Sequence, residues 1–330
     1  MLTVVFATYN GAETLPLMLP SLTRLEAPDG GWKLIAVDNG STDQTSEILS
    51  SYQDKLPIKI LNQPQRGKNR ALNTAIPHFE GDLVVFTDDD IIADPRWLIE
   101  MRRASDSCQE FDIFGGSIIP HWPEPPPPSW LLQNIPTRAV YAHTGDDLSE
   151  GPVNPGRIIG PNMAVRKRVF DAGHRFNDRV GPTKGQYRMG SESEFTLRIY
   201  RLGYRPWHVQ KSLVCHIIQS YQLDPRWILK RGYRFGRGMF WIDFDPKLRT
   251  SIEESSHESK TVLGLPRWIY RAIVEAQLLA LIFRIHHDEG RLLRARWDVS
   301  FWSGYIYEGI LNRSTVKSIK PSRSGPSSMK

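Results

Sequence analysis

Cysteine and long apolar runs are both scarce in this sequence. Its 330 residues include two cysteines, Cys108 and Cys215, with neither a zinc-binding spacing nor a pairing pattern. We therefore expect two small buried thiols in a reducing compartment, not a disulfide framework. No run reaches the roughly eighteen apolar residues of a membrane-spanning helix, and no basic segment with a following apolar stretch opens the chain. These absences predict a cytoplasmic protein without a signal peptide.

Charge is unevenly divided along the chain. Residues 1–200 contain 20 Lys and Arg against 25 Asp and Glu, whereas residues 201–330 contain 22 against 11. The net charges are therefore −5 and +11, and the basic part indicates an anionic partner. A phosphate-bearing ligand, a membrane surface and a nucleic acid all fit that description. The length allows one large domain or two modest ones.

Strand and helix patterns alternate along the first 120 residues. The predicted strands are Leu2–Ala7, Trp32–Val37, Ile58–Leu61, Leu83–Thr87 and Phe111–Ile119. The predicted helices are 14–25, a helix through Leu49 after a capping box at Ser41–Gln44, Lys68–Ile76, and Pro95–Ala104 after an N-cap at Asp94. This alternation is typical of an α/β fold with a mostly parallel, doubly wound sheet, which binds ligands at the carboxyl ends of its strands.

Proline dominates the next stretch of the chain. The run from Pro120 to Trp130 predicts an extended segment, either a surface strap or a loop that faces the substrate. Further on, Arg157–Val165 predicts a strand, and Glu194–Leu202 predicts a helix that ends at Gly203.

Three consecutive aspartates, Asp88, Asp89 and Asp90, follow the strand Leu83–Thr87. Adjacent like charges repel one another and resist desolvation, so folding alone gives no reason for them. A site for Mg²⁺ or Mn²⁺ does, because these hard cations bind carboxylate oxygens together with substrate phosphates. The alternative is a solvated acidic turn that caps the next helix, although Asp94 already supplies that cap.

Four short motifs lie in order along the chain. They are Ala7-Thr8-Tyr9-Asn10, Val37-Asp38-Asn39-Gly40-Ser41-Thr42-Asp43, Thr87-Asp88-Asp89-Asp90 and Gly190-Ser191-Glu192-Ser193-Glu194-Phe195. With Asn62 and the stretch Gly67–Asn73, they resemble the family 2 glycosyltransferases over about residues 1–216. The resemblance implies a GT-A fold that binds a nucleotide-diphospho-sugar donor. It also implies transfer of the sugar, with inversion, to a hydroxyl of a glycan or lipid-linked acceptor.

The resemblance implies roles for individual residues as well. The nucleotide-sugar would be bound by Thr8, Asn10, Asp38, Lys68, Asp88 and Asp89. Asp88 and Asp90 would form the DxD signature that holds Mn²⁺ or Mg²⁺, with His216 as a further ligand, and the ion would stabilise the leaving diphosphate. The middle Asp89 leaves open which carboxylate ligates the ion. Asn39 stands where many relatives have a second acid.

Glu192 is the general base that the resemblance implies, in place of the family's usual Asp. The acceptor hydroxyl must lose a proton as it attacks, so a positioned carboxylate is required. The alternative is that Glu192 and Glu194 simply occupy the first turn of a helix, where the helix dipole favours anions.

Two stretches of the C-terminal part interleave basic and apolar residues. In the first, Arg231, Arg234 and Arg237 alternate with aromatic residues, which suits diphosphate, lipid phosphate, nucleic acid or a solvated helix face. In the second, Leu265–Ile285, a broad apolar face adjoins a stripe that contains Arg267 and Arg271. This pattern is typical of peripheral binding to anionic lipid, here at the inner face of the plasma membrane, and equally of packing on another helix or subunit.

We expect a catalytic domain at 1–216, divided near residue 119 into a nucleotide-sugar part (1–119) and an acceptor part (120–216), then a basic helical region at 217–313 and a disordered tail at 314–330.

Two other functions stay open. A nucleotidyltransferase acting on sugar phosphates would use the same sheet edge, but the loop after the first strand has no basic residue. A nucleic-acid-binding protein would suit the basic part but not the acidic one, so no nucleic-acid partner is expected.

Overall fold

The computed structural model describes residues 1–178, 180–183, 186–244, 261–263 and 265–312, which form two compact units. The sheet unit comprises Met1–His121, Tyr141–Tyr187 and Ser191–Ile218. The helical unit comprises Trp122–Val140, Arg188–Gly190 and the described part of Gln219–Lys330. The predicted tail 314–330 lies outside the described residues, and the predicted boundary at residue 216 stays a prediction.

Strands of the sheet unit build one large, mostly parallel sheet. All strands in the described residues are β1 (Leu2–Thr8), β2 (Trp32–Asp38), β3 (Ile58–Asn62), β4 (Leu83–Thr87), β5 (Ile91–Ala93), β6 (Ile113–His121), β7 (Gly151–Pro152), β8 (Met163–Arg166), β9 (Gly181–Thr183), β10 (Gln186–Arg188), β11 (Pro206–Ile217), β12 (Thr261–Val262) and β13 (Leu265–Pro266). The sheet order is β3-β2-β1-β4-β8-β6-β11-β5, with β7 also on β11. Strands β1 to β4 pair in parallel, as do β6 and β11, whereas β5, β7 and β8 run antiparallel to their neighbours. The predicted α/β fold class is confirmed.

Helices connect the strands of the sheet unit and make up most of the helical unit. They are α1 (Leu15–Leu22), α2 (Thr45–Ser50), α3 (Lys68–Ala75), α4 (Trp97–Ser107), α5 (Ser129–Gln133), α6 (Thr137–Tyr141), α7 (Lys167–Asp171), α8 (Ser191–Arg201), α9 (Pro225–Phe244), α10 (Arg267–Ile285) and α11 (Glu289–Leu311). Among the helices in the described residues, none has the apolar length that crossing a bilayer requires.

Two predicted helix starts are wrong, for the same reason. No capping box forms before α2, because Ser41 Oγ accepts from Asn10 N and Asp43 accepts from Thr45 N and from Ala12 N. Similarly, Asp94 accepts from Arg96 N in a turn, and α4 begins only at Trp97. Side chains that could cap a helix are instead used to fasten loops.

Two other predicted segments have mixed structures. The stretch Arg157–Val165 contains the end of one 3₁₀ turn and all of another, Gly160–Asn162, before β8 begins at Met163. The proline-rich run ends in α5, so Trp130 is helical and not extended.

Apolar side chains cover both faces of the sheet. Alternate residues of a strand point to opposite faces. Val4 accordingly packs in one layer with Trp97 of α4, and Val5 packs in the other with Leu72 of α3 and Phe195 of α8. These layers fix the helices whose ends carry the site residues described below.

The helices α9 and α11 of the helical unit approach each other at glycines. A Cβ atom on Gly236 would lie 1.9 Å from the carbonyl oxygen of Phe301, and one on Gly304 would lie 2.0 Å from that of Tyr233. A separate apolar cluster joins these helices to α10 and includes Phe240, Ile269, Trp302 and Tyr305.

A buried carboxylate lies in the same helical unit. Glu308 on α11 is fully buried, and its oxygens lie 2.8 Å from Arg237 Nε, 2.7 Å from Arg188 Nη2 and 3.0 Å from Trp241 Nε1. Arg231 Nε donates to the carbonyl oxygen of Ala139. Arg237 is therefore committed to helix packing, which corrects the expectation of a solvated or phosphate-binding face at this position.

Candidate active site

The predicted site residues converge at the carboxyl edge of β1, β2 and β4. Thr8 is in register with Asp38, and Phe6 is in register with Thr87. The aspartates that follow β4 therefore lie beside the end of β1. This is the edge at which an open α/β sheet binds its ligands.

Asp89 is turned toward β1. Thr8 Oγ1 donates to Asp89 Oδ2 at 2.5 Å, and a Cβ atom on Gly11 would lie 2.4 Å from that hydroxyl oxygen, so the close approach requires glycine. Burial and the charge of Asp90 raise the pKa of Asp89 to about 7. Asp89 can therefore lose its charge near neutral pH, which relieves repulsion among the three aspartates.

Lys68 bridges Asp88 and Glu192. Its Nζ, on the first residue of α3, lies 2.5 Å from Asp88 Oδ1 and 2.7 Å from Glu192 Oε1. Burial alone would lower the pKa of Lys68, but the two carboxylates hold it well above its usual range. Burial likewise opposes the charged form of Glu192, yet Lys68 gives that carboxyl a net lowered pKa. Both Lys68 and Glu192 are therefore charged at neutral pH.

Asp88 is the other carboxylate that contacts Lys68, and its pKa is shifted in the opposite direction from that of Glu192. Burial raises the pKa of Asp88, and the charges of Asp90 and Glu192 add to that effect against the opposing charge of Lys68. One ammonium group therefore faces more carboxylate than it can neutralise, so this edge keeps an excess of negative charge.

The two glutamates in the first turn of α8 have different partners. Glu194 forms an ion pair with Arg198 one turn along the same helix, at 2.8 Å. Glu192 instead contacts Lys68, and a Cβ atom on Gly160 would lie 2.6 Å from its Oε1. The helix-turn interpretation thus describes Glu194, whereas Glu192 belongs to the cluster at the sheet edge.

His216 faces Asp90. On β11, His216 pairs in register with Ile91 of β5, directly after the aspartate run. Its Nδ1 lies 2.6 Å from the carbonyl oxygen of Tyr141, and its Nε2 lies 3.2 Å from Asp90 Oδ2. Burial lowers the pKa of this imidazole, but the charge of Asp90 and the hydrogen bonds to Asp90 and to the Tyr141 carbonyl together outweigh burial and raise it. Within the described residues, no three or more His, Cys, Asp or Glu side chains are grouped to hold a metal ion.

Asp38 and Asn10 fasten the turns at the other end of this edge. Asp38 Oδ1 accepts from Ser41 N at 2.9 Å, and Asp38 is buried. Asn10 has a positive φ of 53°, and its Oδ1 accepts from Thr42 N at 2.9 Å. Both residues thus shape the loops after β1 and β2.

Asn39 has a structural reason to be an amide. Its Nδ2 donates to the carbonyl oxygens of Gln63 and Gln65, and its Oδ1 accepts from Gly67 N. A carboxylate could make only the last of these bonds, because it has no donor. Asn39 thereby fixes the loop that leads into Lys68.

Two contributors to the site were not predicted from the sequence. Gly160 touches Glu192, and the Tyr141 carbonyl orients His216. Gly160 lies in a stretch interpreted as a strand, and a backbone carbonyl leaves no signal in residue type. These two contacts are therefore visible only in the three-dimensional structure.

The chain belongs to glycosyl transferase family 2, whose sequence profile matches residues 3–173. It is 25% identical to the glycosyltransferase AglE of Haloferax volcanii over 242 residues, which are 72% of this chain and 73% of AglE. It is 34% identical to the poly(ribitol-phosphate) β-N-acetylglucosaminyltransferase TarS of Staphylococcus aureus over 89 residues, 26% of this chain and 16% of TarS. The protein is thus a glycosyltransferase that uses a nucleotide-sugar donor, as the motifs predicted.

Solved structures share the fold. A crystal structure of residues 1–349 of S. aureus TarS in complex with UDP matches with a TM-score of 0.52 at 17% identity, over 93% of this chain and 90% of that fragment. The mannosyltransferase PcManGT of Pyrobaculum calidifontis, in complex with GDP-Man and Mn²⁺, matches with a TM-score of 0.52 at 16% identity, over 94% and 75%. Family membership favours glycosyl transfer over nucleotidyl transfer, the other enzymatic function considered above.

Proposed function

We propose that the protein transfers a sugar from a nucleotide-diphospho-sugar to an acceptor hydroxyl, with inversion and with a divalent metal ion. The observation that carries this proposal is the meeting of Lys68, Asp88 and Glu192 at the carboxyl edge of the sheet. One cation and two carboxylates at this edge can hold a diphosphate and accept a proton.

Asp90 and His216 fit a Mn²⁺ or Mg²⁺ ion. Asp90 offers hard oxygen ligands, and the bond to the Tyr141 carbonyl leaves His216 Nε2 directed at Asp90. Two protein ligands are a usual number for an ion that also binds substrate phosphates. Asp88 is the second carboxylate of the DxD pair and could join them. When bound, the ion would stabilise negative charge on the leaving diphosphate, and the Mn²⁺ in PcManGT supports this assignment.

Glu192 is proposed as the general base, under the control of Lys68. The ion pair keeps Glu192 ionised, which a base requires, but it also weakens the affinity of the carboxylate for a proton. A diphosphate at this edge would compete for Lys68. Glu192 would then regain proton affinity when the donor is present, and it could deprotonate the acceptor hydroxyl.

The acceptor is proposed to be a glycan or a lipid-linked glycan precursor in cell-surface polysaccharide synthesis. TarS, whose name specifies poly(ribitol-phosphate) as its acceptor, supports a polymeric hydroxyl acceptor. Thr8, Asn10 and Asp38 are proposed to line the nucleoside end of the donor site, since they end β1 and β2 beside the aspartates.

A thermal-shift panel of UDP, GDP, dTDP and CDP sugars, with and without Mn²⁺, tests the proposal, because a ligand that binds the folded state raises Tm. We expect one nucleotide class to raise Tm more strongly with Mn²⁺. Asp90→Asn should remove the metal-dependent part of that shift. Glu192→Gln should keep the shift but lower nucleotide release by about a hundredfold or more.

Glu194→Gln is the matched control, since Glu194 lies in the same helical turn but pairs with Arg198. It should keep both donor binding and turnover. A Mn²⁺-independent shift in the wild-type protein would contradict the metal assignment, and full turnover by Glu192→Gln would contradict the base.

A further inference from the structure

The second half of α10 leaves five large aliphatic side chains in solvent. This group, termed the apolar tip, consists of Leu278, Leu279, Leu281, Ile282 and Ile285, each 45–65% exposed. Leu278, Leu281 and Ile285 follow one helical stripe, since they are separated by three and four residues. Soluble proteins rarely expose contiguous apolar groups of this kind, so the tip marks an interaction surface.

An exposed tryptophan belongs to the same end of the helical unit. Trp130 on α5 is 46% exposed, and its carbonyl oxygen accepts from Asn134 Nδ2 at 2.7 Å. A Cβ atom on Gly290, at the start of α11, would lie 2.5 Å from that same nitrogen. Trp130 is therefore carried by a helix that touches the first turn of α11. Tryptophan favours lipid–water interfaces, where one part of the ring system is apolar and its N–H is hydrated.

Arginines surround the apolar tip. Arg284 lies within it, and Arg291 and Arg294 are exposed on the facing helix α11. The nearby acids are Asp288, which caps α11 and pairs with Arg291, Asp298, which pairs with Arg294, and Glu289 in the first turn of α11. Arg296 is also exposed on α11, so this end of the two helices has four arginines against three acids. The tip thus combines apolar surface with a small local surplus of positive charge.

We infer that the apolar tip, with Trp130 and the surrounding arginines, docks this protein on an anionic lipid surface. Aliphatic side chains enter the boundary between headgroups and acyl chains, while arginines contact lipid phosphates. A second copy that docks through the same tip is the alternative occupant, and the light-scattering measurement below distinguishes it from lipid. Residues 245–260 have seven charged residues and two large aliphatic ones, so they are poorly suited to cover the tip.

Vesicle flotation of the full chain tests this inference. The vesicles are phosphatidylcholine alone or phosphatidylcholine mixed with phosphatidylglycerol. We expect binding to the anionic mixture, and Leu281→Glu with Ile285→Glu should lower it at least about tenfold, because both charges enter the docking surface. The matched control is Leu17→Glu with Leu202→Glu, which adds the same charges at exposed apolar positions of the sheet unit and should bind like the wild type.

A second pair of variants separates the charge from the apolar contribution. Arg284→Gln with Arg291→Gln should weaken binding to anionic vesicles. The wild type should lose affinity for these vesicles as salt rises, and the affinity of this variant should depend less on salt. Equal binding by the tip variant and its control would overturn the inference. The inference would also be overturned if the wild type did not bind vesicles and light scattering showed it to be a dimer that the tip substitutions convert to a monomer. The flotation assay contains no nucleotide-sugar, so its result does not depend on whether the proposed transferase reaction is correct.

Discussion

The ammonium nitrogen of Lys68 lies 2.7 Å from a carboxylate oxygen of Glu192, although 124 residues separate them in the chain. The same nitrogen contacts Asp88. The contact joins the first turn of α3 to the first turn of α8 across the carboxyl edge of the sheet. It ties the residue proposed as base to a residue proposed to bind the donor.

Replacing Lys68 should destabilise the fold. In Lys68→Met, the largely buried Asp88 and Glu192 lose their shared cation, so we expect the free energy of unfolding to fall by about 2 kcal/mol. Denaturant titration at neutral pH measures the change. Lys33→Met is the control, because the ion pair of Lys33 with Glu80 is about half exposed and should contribute no more than about 0.5 kcal/mol. Equal losses in the two variants would contradict the importance of the bridge.

Gly160→Ala should lower turnover without unfolding the protein. Its new Cβ would lie 2.6 Å from Glu192 Oε1, so the carboxylate must move. A displacement of about 1 Å at a reacting group can lower the rate about a hundredfold. Turnover is measured as nucleotide release, and Tm is measured in parallel.

Gly156→Ala provides the comparison for Gly160→Ala. Gly156 also lies in a 3₁₀ turn, but its Cβ would meet only Asn154 Oδ1, at 3.2 Å. Its turnover should stay near that of the wild type. If Gly160→Ala were equally active, the position of Glu192 would not matter to the reaction.

His174 should make stability fall as the solution is acidified. Burial, with the charges of Arg198 and Arg175, lowers the pKa of His174 in the folded protein. Between the unfolded value of about 6.5 and the lower folded value, the unfolded chain binds more protons, so acid favours unfolding. His174→Gln should therefore show a smaller drop in Tm between about pH 7.5 and 5.5. His286→Gln, at an exposed histidine directly after α10, should keep the wild-type drop, and identical drops in all three proteins would refute the assignment.

Glu308→Gln should destabilise the helical unit. Neutralising this buried group leaves Arg188 and Arg237 facing an uncharged amide, and breaking a buried ion pair costs about 3 kcal/mol. Glu275→Gln is the matched control, since its ion pair with Arg271 is exposed on α10 and should contribute about 0.5 kcal/mol or less. Urea unfolding followed by circular dichroism distinguishes them, and a Glu308 variant as stable as the control would count against the network.

Strands were predictable from the sequence, and several helix starts were not. Leu83–Thr87 is a run of apolar and β-branched residues, and the structure has the same bounds. β5 was missed because three residues carry no clear pattern, and its pairing partner β11 lies more than a hundred residues away. Asp43 looked like part of a cap, but its acceptor bonds depend on Ala12, which no local pattern reveals.

The site was predictable in its residue types more than in its contacts. Motif order brought Lys68, Asp88 and Glu192 to the same sheet edge, but nothing in the sequence indicated that one lysine would contact both acids. Asn39 looked like a departure from its relatives, and only the carbonyl groups around it explain the amide. Such contacts depend on tertiary structure, which residue spacing does not record.

The anchoring of Arg188 by Glu308 has a consequence for how short a working fragment of this enzyme can be. The last proposed site residue is His216, so a fragment ending at residue 218 would retain every group at the sheet edge. It would nevertheless lack the carboxylate that holds Arg188 and the α9 surface on which Met189 packs. Those residues lead without interruption into Ser191 and Glu192. A fragment that keeps Arg188 anchored must therefore extend through Glu308, almost a hundred residues beyond the last group proposed to have a chemical role.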